Sequence, residues 1–377
     1  RLISAGFGGV DTGGKWYLNL GLGMLFSVFA LSNLNAQAPG RPHVIAPDAV
    51  MGCTDESVIL TAEYLELGET NSQLYEVTEI EYAPPFPFTG GTAVDATRDD
   101  SWSNVVNLPF DFCYFGEIYQ AIQVGTNGQV TFNATYPVNQ GGTNPWSFTA
   151  SVPSPSLVNN AIFGVYMDIH PDPNNNPDTG EINYAFFGEY PARTLVVSFP
   201  EIPYFSCSNT DEFLLTSQIV LYETTNVIEV YVNRRDSGCS WRDGRAIIGI
   251  QNQNGTVGYT PPGRNTGDWA AEKEAWRFTP AGEDIFEFWW EDSEGNVVST
   301  DRELEVFPQT ADEWYKAVIE YEHCNGDIVR EEDIAHIDIR PDFEVVLGRD
   351  RTACLGETVE LTANLVPEPS SEVSYLW

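Results

Sequence analysis

Residues Ile118–Phe132, IYQAIQVGTNGQVTF, decide the fold class. Two short apolar-polar runs flank Asn127-Gly128, the dipeptide that supplies the positive φ angles a two-residue hairpin turn requires. The same period of two recurs on the C-terminal side. Thr194–Phe199 (TLVVSF), Ser217–Tyr222 (SQIVLY) and Asn226–Val232 (NVIEVYV) are rich in β-branched residues, as strands are. Ala246–Gln251 (AIIGIQ) leads through Asn254-Gly255 into Thr256–Tyr259, a further hairpin. Only Asp268–Trp276 has a helical flavour. Many short strands with regular turn signals predict an all-β chain, with a β-sandwich over residues 50–282.

A second unit is expected over residues 283–340. Ile285–Trp290 (IFEFWW) reads as a strand, Ser293–Asn296 as a turn, and Glu303–Phe307 as another strand. In Tyr315–His323 the residues Tyr315, Ala317, Ile319 and Tyr321 share one face, and Asn325-Gly326 then turns the chain towards Ile334–Ile339. A unit of this size matches a small immunoglobulin-like sandwich, marginal by itself because little surface is buried in so short a chain. Residues 341–377 read as the start of a truncated second immunoglobulin-like domain.

Composition narrows the function classes. Acidic residues outnumber basic ones 55 to 18 in 377 residues, a formal net charge of −37. Lys15, Lys273 and Lys316 are the only lysines. A field of this sign repels phosphate backbones and anionic lipid surfaces, so nucleic acid is excluded as a partner class. With 42% hydrophobic and 13% aromatic residues the chain has material for packed cores, and its acidity does not signal disorder. The 32 glycines and 24 prolines lack a collagen-like period and indicate frequent turns.

Trp16–Leu31 (WYLNLGLGMLFSVFAL), preceded by Lys15, is the one strongly apolar run. A positive residue, a short apolar stretch and small residues at Asn35-Ala36 read as a secretory signal with cleavage after Ala36. Residues 1–36 are accordingly a signal region with upstream read-through, and residues 37–49 a linker. The competing reading, a membrane anchor, is opposed by Asn19, Gly21 and Gly23 and by a run short of ~20 apolar residues. No stable membrane insertion is expected after cleavage. Beginning on Arg1 and stopping at Trp377, the chain reads as a fragment of a longer gene.

Export makes disulfides plausible among Cys53, Cys113, Cys207, Cys239, Cys324 and Cys354, none of which forms a zinc-type Cys-x-x-Cys. Cys207 and Cys239 are the best pair, because both lie in polar turn-like segments flanking a hairpin; closing that loop contributes roughly 3–4 kcal/mol in the chain-entropy model. Cys53–Cys113 is a weaker pairing, with Cys113 as a plain buried thiol the alternative. Cys354 is assigned to a partner beyond the chain's end.

Together, Asn107–Phe132, Asn159–Pro171, Ser217–Val232, Ile247–Trp269 (IIGIQNQNGTVGYTPPGRNTGDW) and Glu274–Gly282 resemble the N-terminal module of large surface proteins of flavobacteria and their relatives, a module similar to the nidogen-type extracellular domain. The LPFDFC and YTPPGRNTG stretches carry most of this resemblance. It implies a nidogen-like β-sandwich followed by immunoglobulin-like or PKD-like repeats, gliding-motility-associated export by the type IX secretion machinery, and a non-enzymatic, cell-surface adhesin-type role. The implied partner is an extracellular polysaccharide or protein surface. A second possibility is the accessory, substrate-targeting region of a secreted polysaccharide-degrading enzyme whose catalytic domain lies beyond residue 377. In such repeats a Cys often stands at the position of Phe307, so Cys324 is expected to lack its partner.

Candidate sites follow from residue chemistry. MDIHPDPNNNPDTG places Asp168, Asp172 and Asp178 in one oxygen-rich loop, a possible calcium set although the spacing is not that of an EF-hand. Its composition is equally that of a solvated loop. His170 beside these carboxylates is the one conceivable acid–base arrangement, and no nucleophile elbow, zinc-protease or phosphate-loop motif occurs. Trp241 and Trp269, set in loops or at strand ends, are the first candidates for stacking on a sugar face, against the commoner role of filling loop bases.

Overall fold

The alternation around Asn127-Gly128 folds as expected. Glu117–Gly125 and Gln129–Thr131 pair antiparallel with Val124 opposite Val130, and Gly128 turns the chain at φ +82°, where a Cβ would collide with the Val165 carbonyl. In the computed structural model the described residues are 40–52, 55–69, 73–175, 179–207, 213–308, 313–340, 344–346, 349, 352–360 and 362–366. The expected signal segment and its expected cleavage site, Cys53, Asp178 and most of 341–377 lie outside them. No helix among the described residues is long and apolar enough to cross a membrane.

Two sheets form the main body. The six-stranded sheet runs, edge to edge, Gly258–Tyr259, Ile247–Gln251, Ala161–Tyr166, Gln129–Thr131, Glu117–Gly125 and Val106–Tyr114. The seven-stranded sheet runs Tyr75–Glu79, Ala271–Pro280, Ile228–Arg235, Leu214–Tyr222, Thr194–Pro203, Asn183–Phe187 and Thr92–Ala93. Val124, Val130, Ile162 and Ile248 of the first share one core with Leu195, Val197, Ile219 and Val230 of the second. Gly164 lets the sheets approach, since a Cβ there would stand 2.5 Å from the Ile219 side chain. Outside the six-stranded sheet, Trp102, Phe163 and Tyr166 pack under the loop carrying Val152, Leu157 and Val158.

The seven-stranded sheet is buried on its other face too. Val196, Val220, Tyr222, Tyr231 and Ala275 join Leu60, Phe288, Trp290, Ala317 and Ile319 in a second core. That is why its central strands read as near-continuous apolar runs and not as half-polar ones. The covering unit is a five-stranded sheet in the order Val297–Ser299, Phe286–Glu291, Trp314–Glu322, Ile328–Arg340 and Ala49–Gly52, with Glu303–Val306 paired to Val58–Thr61.

Three expectations are corrected here. Residues 44–49 of the expected linker are not a linker, and the body does not begin at 50: Val44–Ile45 pairs with Glu63–Tyr64, and Ala49–Gly52 lies parallel to Ile328–Arg340. The first described residues therefore complete the second unit, supplying strands that residues 283–340 lack. Asp268–Trp276 has no helix, because Ala271–Pro280 pairs with both Ile228–Arg235 and Tyr75–Glu79. Cys324 does have a partner. It is bonded to Cys113, at a Cα separation of 6.4 Å, so neither the Cys53 pairing nor the free-thiol reading of Cys113 holds. The bridge spans 211 residues and ties the edge strand of the six-stranded sheet to the turn after Trp314–Glu322. Cys207 and Cys239 are also joined, with Cα atoms 6.1 Å apart.

Candidate functional site

At one end of the body, the hairpin tip gathers two acidic segments. Asn127 is fully buried; its Nδ2 donates to Asp100 Oδ1 at 2.9 Å and its Oδ1 accepts the Ile169 amide at 3.1 Å. Asp100 sits at φ +52° in a turn whose carbonyl receives the Thr143 and Asn144 amides. Asp168 leaves the core just after Ala161–Tyr166. Its Oδ2 accepts the Trp241 indole N–H at 2.6 Å, and its carbonyl accepts the Phe205 amide. One carboxylate oxygen each from Asp99, Asp100 and Asp168 lies within 4.8 Å of the others.

Crowding of like charge at a partly dry site opposes ionisation. Burial, aided by Asp100 and Asp99 and opposed by the Trp241 hydrogen bond, pushes the Asp168 carboxyl up to about 7. Asp99 and Asp100 are each raised to about 6, again chiefly by burial. Burial lowers His170, against the pull of Asp172 and Asp100.

Of the expected set of Asp168, Asp172 and Asp178, Asp178 lies outside the described residues, and Asp172 is not among the carboxylates gathered at Asp168. Asp172 instead closes its own turn, accepting the Asn174 amide, Asn174 Nδ2 and Asn175 Nδ2 at 2.9, 2.9 and 3.0 Å. Asp99 and Asp100 take its place beside Asp168. Their only sequence signal is an adjacent acidic pair before buried Trp102, which does not announce a partner in another loop.

The two tryptophans separate in role. Trp269 is 8% exposed, its ring is flanked by the Arg235 and Arg264 guanidinium groups at 4.5 and 4.7 Å, and its N–H is bonded to the Ala246 carbonyl. That covering removes it as a sugar platform. Trp241, in the 3-10 turn Trp241–Gly244, is half-buried against Phe205 at 5.3 Å and Arg242 at 4.9 Å, with its N–H committed to Asp168. It walls the acidic site, beside the turn that the Cys207–Cys239 bridge anchors.

A larger concavity, about 460 Å³, opens where the second unit meets the body. Tyr190, 58% exposed, stands at it with Arg193, whose guanidinium lies 5.7 Å from the Tyr190 ring and 5.8 Å from Phe110. Buried Glu223 holds Arg193 through a bidentate ion pair. Asp111 accepts Gln120 Nε2 at 2.7 Å and Asn325 Nδ2 at 3.2 Å, and Asp327 also accepts from Asn325. His323 lines the same cleft, 5% exposed, and its Nε2 has no hydrogen-bond partner. The Cys113–Cys324 bridge fixes the two walls relative to each other. An exposed ring beside planar amide, carboxylate and guanidinium groups suits a hydroxyl-rich ligand, which offers C–H faces to the ring and paired hydroxyls to the polar groups. Sequence reading missed this cleft, since Tyr190 stands alone in a polar turn and the opposite wall comes from residues 323–329.

No curated protein matches the chain. Residues 74–289, more than half of it, match the family model described as NIDO related. The match spans both sheets of the main body, every residue of the acidic cluster and the body-side wall of the cleft, and so the chain belongs to the NIDO-related family.

Proposed function

We propose that this protein is a non-enzymatic, extracellular binding module, an adhesin-type component of a cell surface that holds a neutral polysaccharide in the cleft beside Tyr190. The observation that carries the reading is the exposed Tyr190 ring set against Arg193, Asp111, Gln120 and Asn325 in a cleft of ligand size. The two disulfides fit an oxidising compartment. Export through the type IX machinery, a flavobacterial surface context and immunoglobulin-like repeats continuing the chain belong to this same reading, and rest on the resemblance of the LPFDFC and YTPPGRNTG stretches. The net charge of −37 selects against acidic polysaccharides and favours uncharged ones.

Retention on immobilised glycans tests it. The protein should be held by at least one neutral polysaccharide and by none of the sulfated or uronic-acid polymers. Tyr190→Ala should weaken that retention at least ~10-fold, the loss of about 1.4 kcal/mol expected for one stacking ring. Tyr190 is exposed, so its removal leaves the fold intact. Silence on every neutral glycan, or undiminished retention of Tyr190→Ala, would sink the proposal.

A further inference from the structure

We propose that Asp99, Asp100 and Asp168 are the protein ligands of a calcium-class divalent cation, bound where the hairpin tip of the body joins its disulfide-anchored loop. Three observations converge. The first is spacing: one oxygen from each residue lies within 4.8 Å of the others. Oxygens on opposite sides of a calcium ion, each at about 2.4 Å, are about 4.8 Å apart, so the set fits one coordination sphere. The second is an orphaned acceptor. Asp168 is 6% exposed, and while its Oδ2 is taken by Trp241, its Oδ1 is buried without a hydrogen-bond partner. Asp99 Oδ1 is buried and unpartnered in the same way. Buried carboxylate oxygens are ordinarily satisfied, and leaving two of them bare in one cluster is costly unless a cation receives them.

The third observation is the charge balance. Among the described residues, none of the three carboxylates takes part in a salt bridge. Arg242 acts on Asp168 and His170 on Asp100 only at longer range, and Asp172 adds further negative charge near Asp99. An all-oxygen set of hard carboxylates selects calcium, magnesium or manganese over zinc or copper. Asp99 and Asp100 are half-exposed, which leaves the ion a path from solvent and room for waters to complete its shell. The ion would fasten the 98–100 turn to the segment after Ala161–Tyr166 and, through Asp168 and Trp241, to the turn beside Cys239. This site is separate from the Tyr190 cleft, and its test is independent of glycan retention.

The experiment uses the full chain, stripped with a chelator and dialysed. Calcium is titrated up to about 10 mM, beyond the 10⁻⁴–10⁻³ M range typical of extracellular modules. Calorimetry should show one saturable site, and thermal melts a rising midpoint, since a hundredfold excess over Kd favours the folded form about 100-fold. Asp99→Asn/Asp168→Asn should lose at least 10-fold in affinity while melting no lower than the wild type without calcium, because the exchange removes mutual repulsion and keeps an oxygen for Trp241. Asp172→Asn should stay within about 3-fold of wild type. Terbium supplies a readout needing no carboxylate variant: excited through the tryptophans at the site, Trp241 and Trp146, it should luminesce, be displaced by calcium, and dim in Trp241→Phe. No calcium heat and no melting shift overturns the site, as does a response that survives in Asp99→Asn/Asp168→Asn or disappears in Asp172→Asn.

Discussion

Glu229 shows how a single buried charge is made tolerable in this molecule. It is fully buried and receives Tyr222 and Tyr231 hydroxyls at 2.7 Å each, along with the Arg277 guanidinium at 2.7 and 2.9 Å. Both tyrosines belong to the core between the seven-stranded sheet and the covering unit, so the carboxylate organises a polar island inside an apolar seam. Removing one member of such a group strands the others without solvent. Glu229→Ala should therefore lower the unfolding free energy by about 3–5 kcal/mol, the usual cost of breaking a buried pair from one side. Glu229→Gln keeps an acceptor oxygen and should lose clearly less. Urea unfolding monitored by tryptophan fluorescence measures both, and an alanine variant within about 1 kcal/mol of wild type would show that the island contributes no net stability.

At the scale of elements, what was legible is what is local. The hairpin at Asn127-Gly128 announced itself because two residues fix the turn, the register and the faces together. Thr194–Phe199 and Ser217–Tyr222 read as strands, the cores of the observed Thr194–Pro203 and Leu214–Tyr222, yet nothing in them says that a second layer covers their outer face. The pairing of Val58–Thr61 with Glu303–Val306 was illegible for a different reason. Both strands are only four residues long, and their partnership is set by the core around Leu60, Leu304 and Trp290 and not by any local signal. Ala271–Pro280, with Ala, Glu and Lys clustered at its start, misled because helix propensity yields to two flanking strands. The acidic cluster escaped on the same ground, since Asp99 and Asp168 meet only through tertiary contact.

This dependence on distant strands is testable. Residues 283–340 expressed alone lack Ala49–Gly52, Val58–Thr61 and the Val196, Val220 and Tyr231 face on which they pack. They should show no cooperative thermal transition and little amide dispersion in a nitrogen–proton spectrum, as small cores without their supports do. A sharp melt from this fragment would mean that the second unit is autonomous and that the N-terminal strands merely decorate it.

For the whole molecule, charge is the dominant long-range term. The chain carries a net charge of −37, its described residues are held together by two sheet interfaces and two disulfides, and the self-repulsion works against the compact state. Three buried or half-buried pairs, Arg193–Glu223, Arg264–Glu274 and Arg277–Glu229, commit three of the 18 basic residues to internal structure. Those pairs are neutral, so the whole excess of negative charge is left to the remaining, mostly solvent-facing groups. Added monovalent salt should screen that repulsion, as the Debye length falls from about 30 Å at 0.01 M to about 3 Å at 1 M. In the presence of chelator, the melting midpoint should rise steeply with sodium chloride up to about 0.1 M and flatten thereafter, because the screening distance is by then about 10 Å. Potassium chloride should give the same curve, since the effect depends on ionic strength and not on a bound ion. A flat or falling midpoint would mean that local ion pairs outweigh the global field. Rising stability would instead identify the negative surface as a device for solubility and for rejecting acidic polymers, retained at a cost in stability that salt removes.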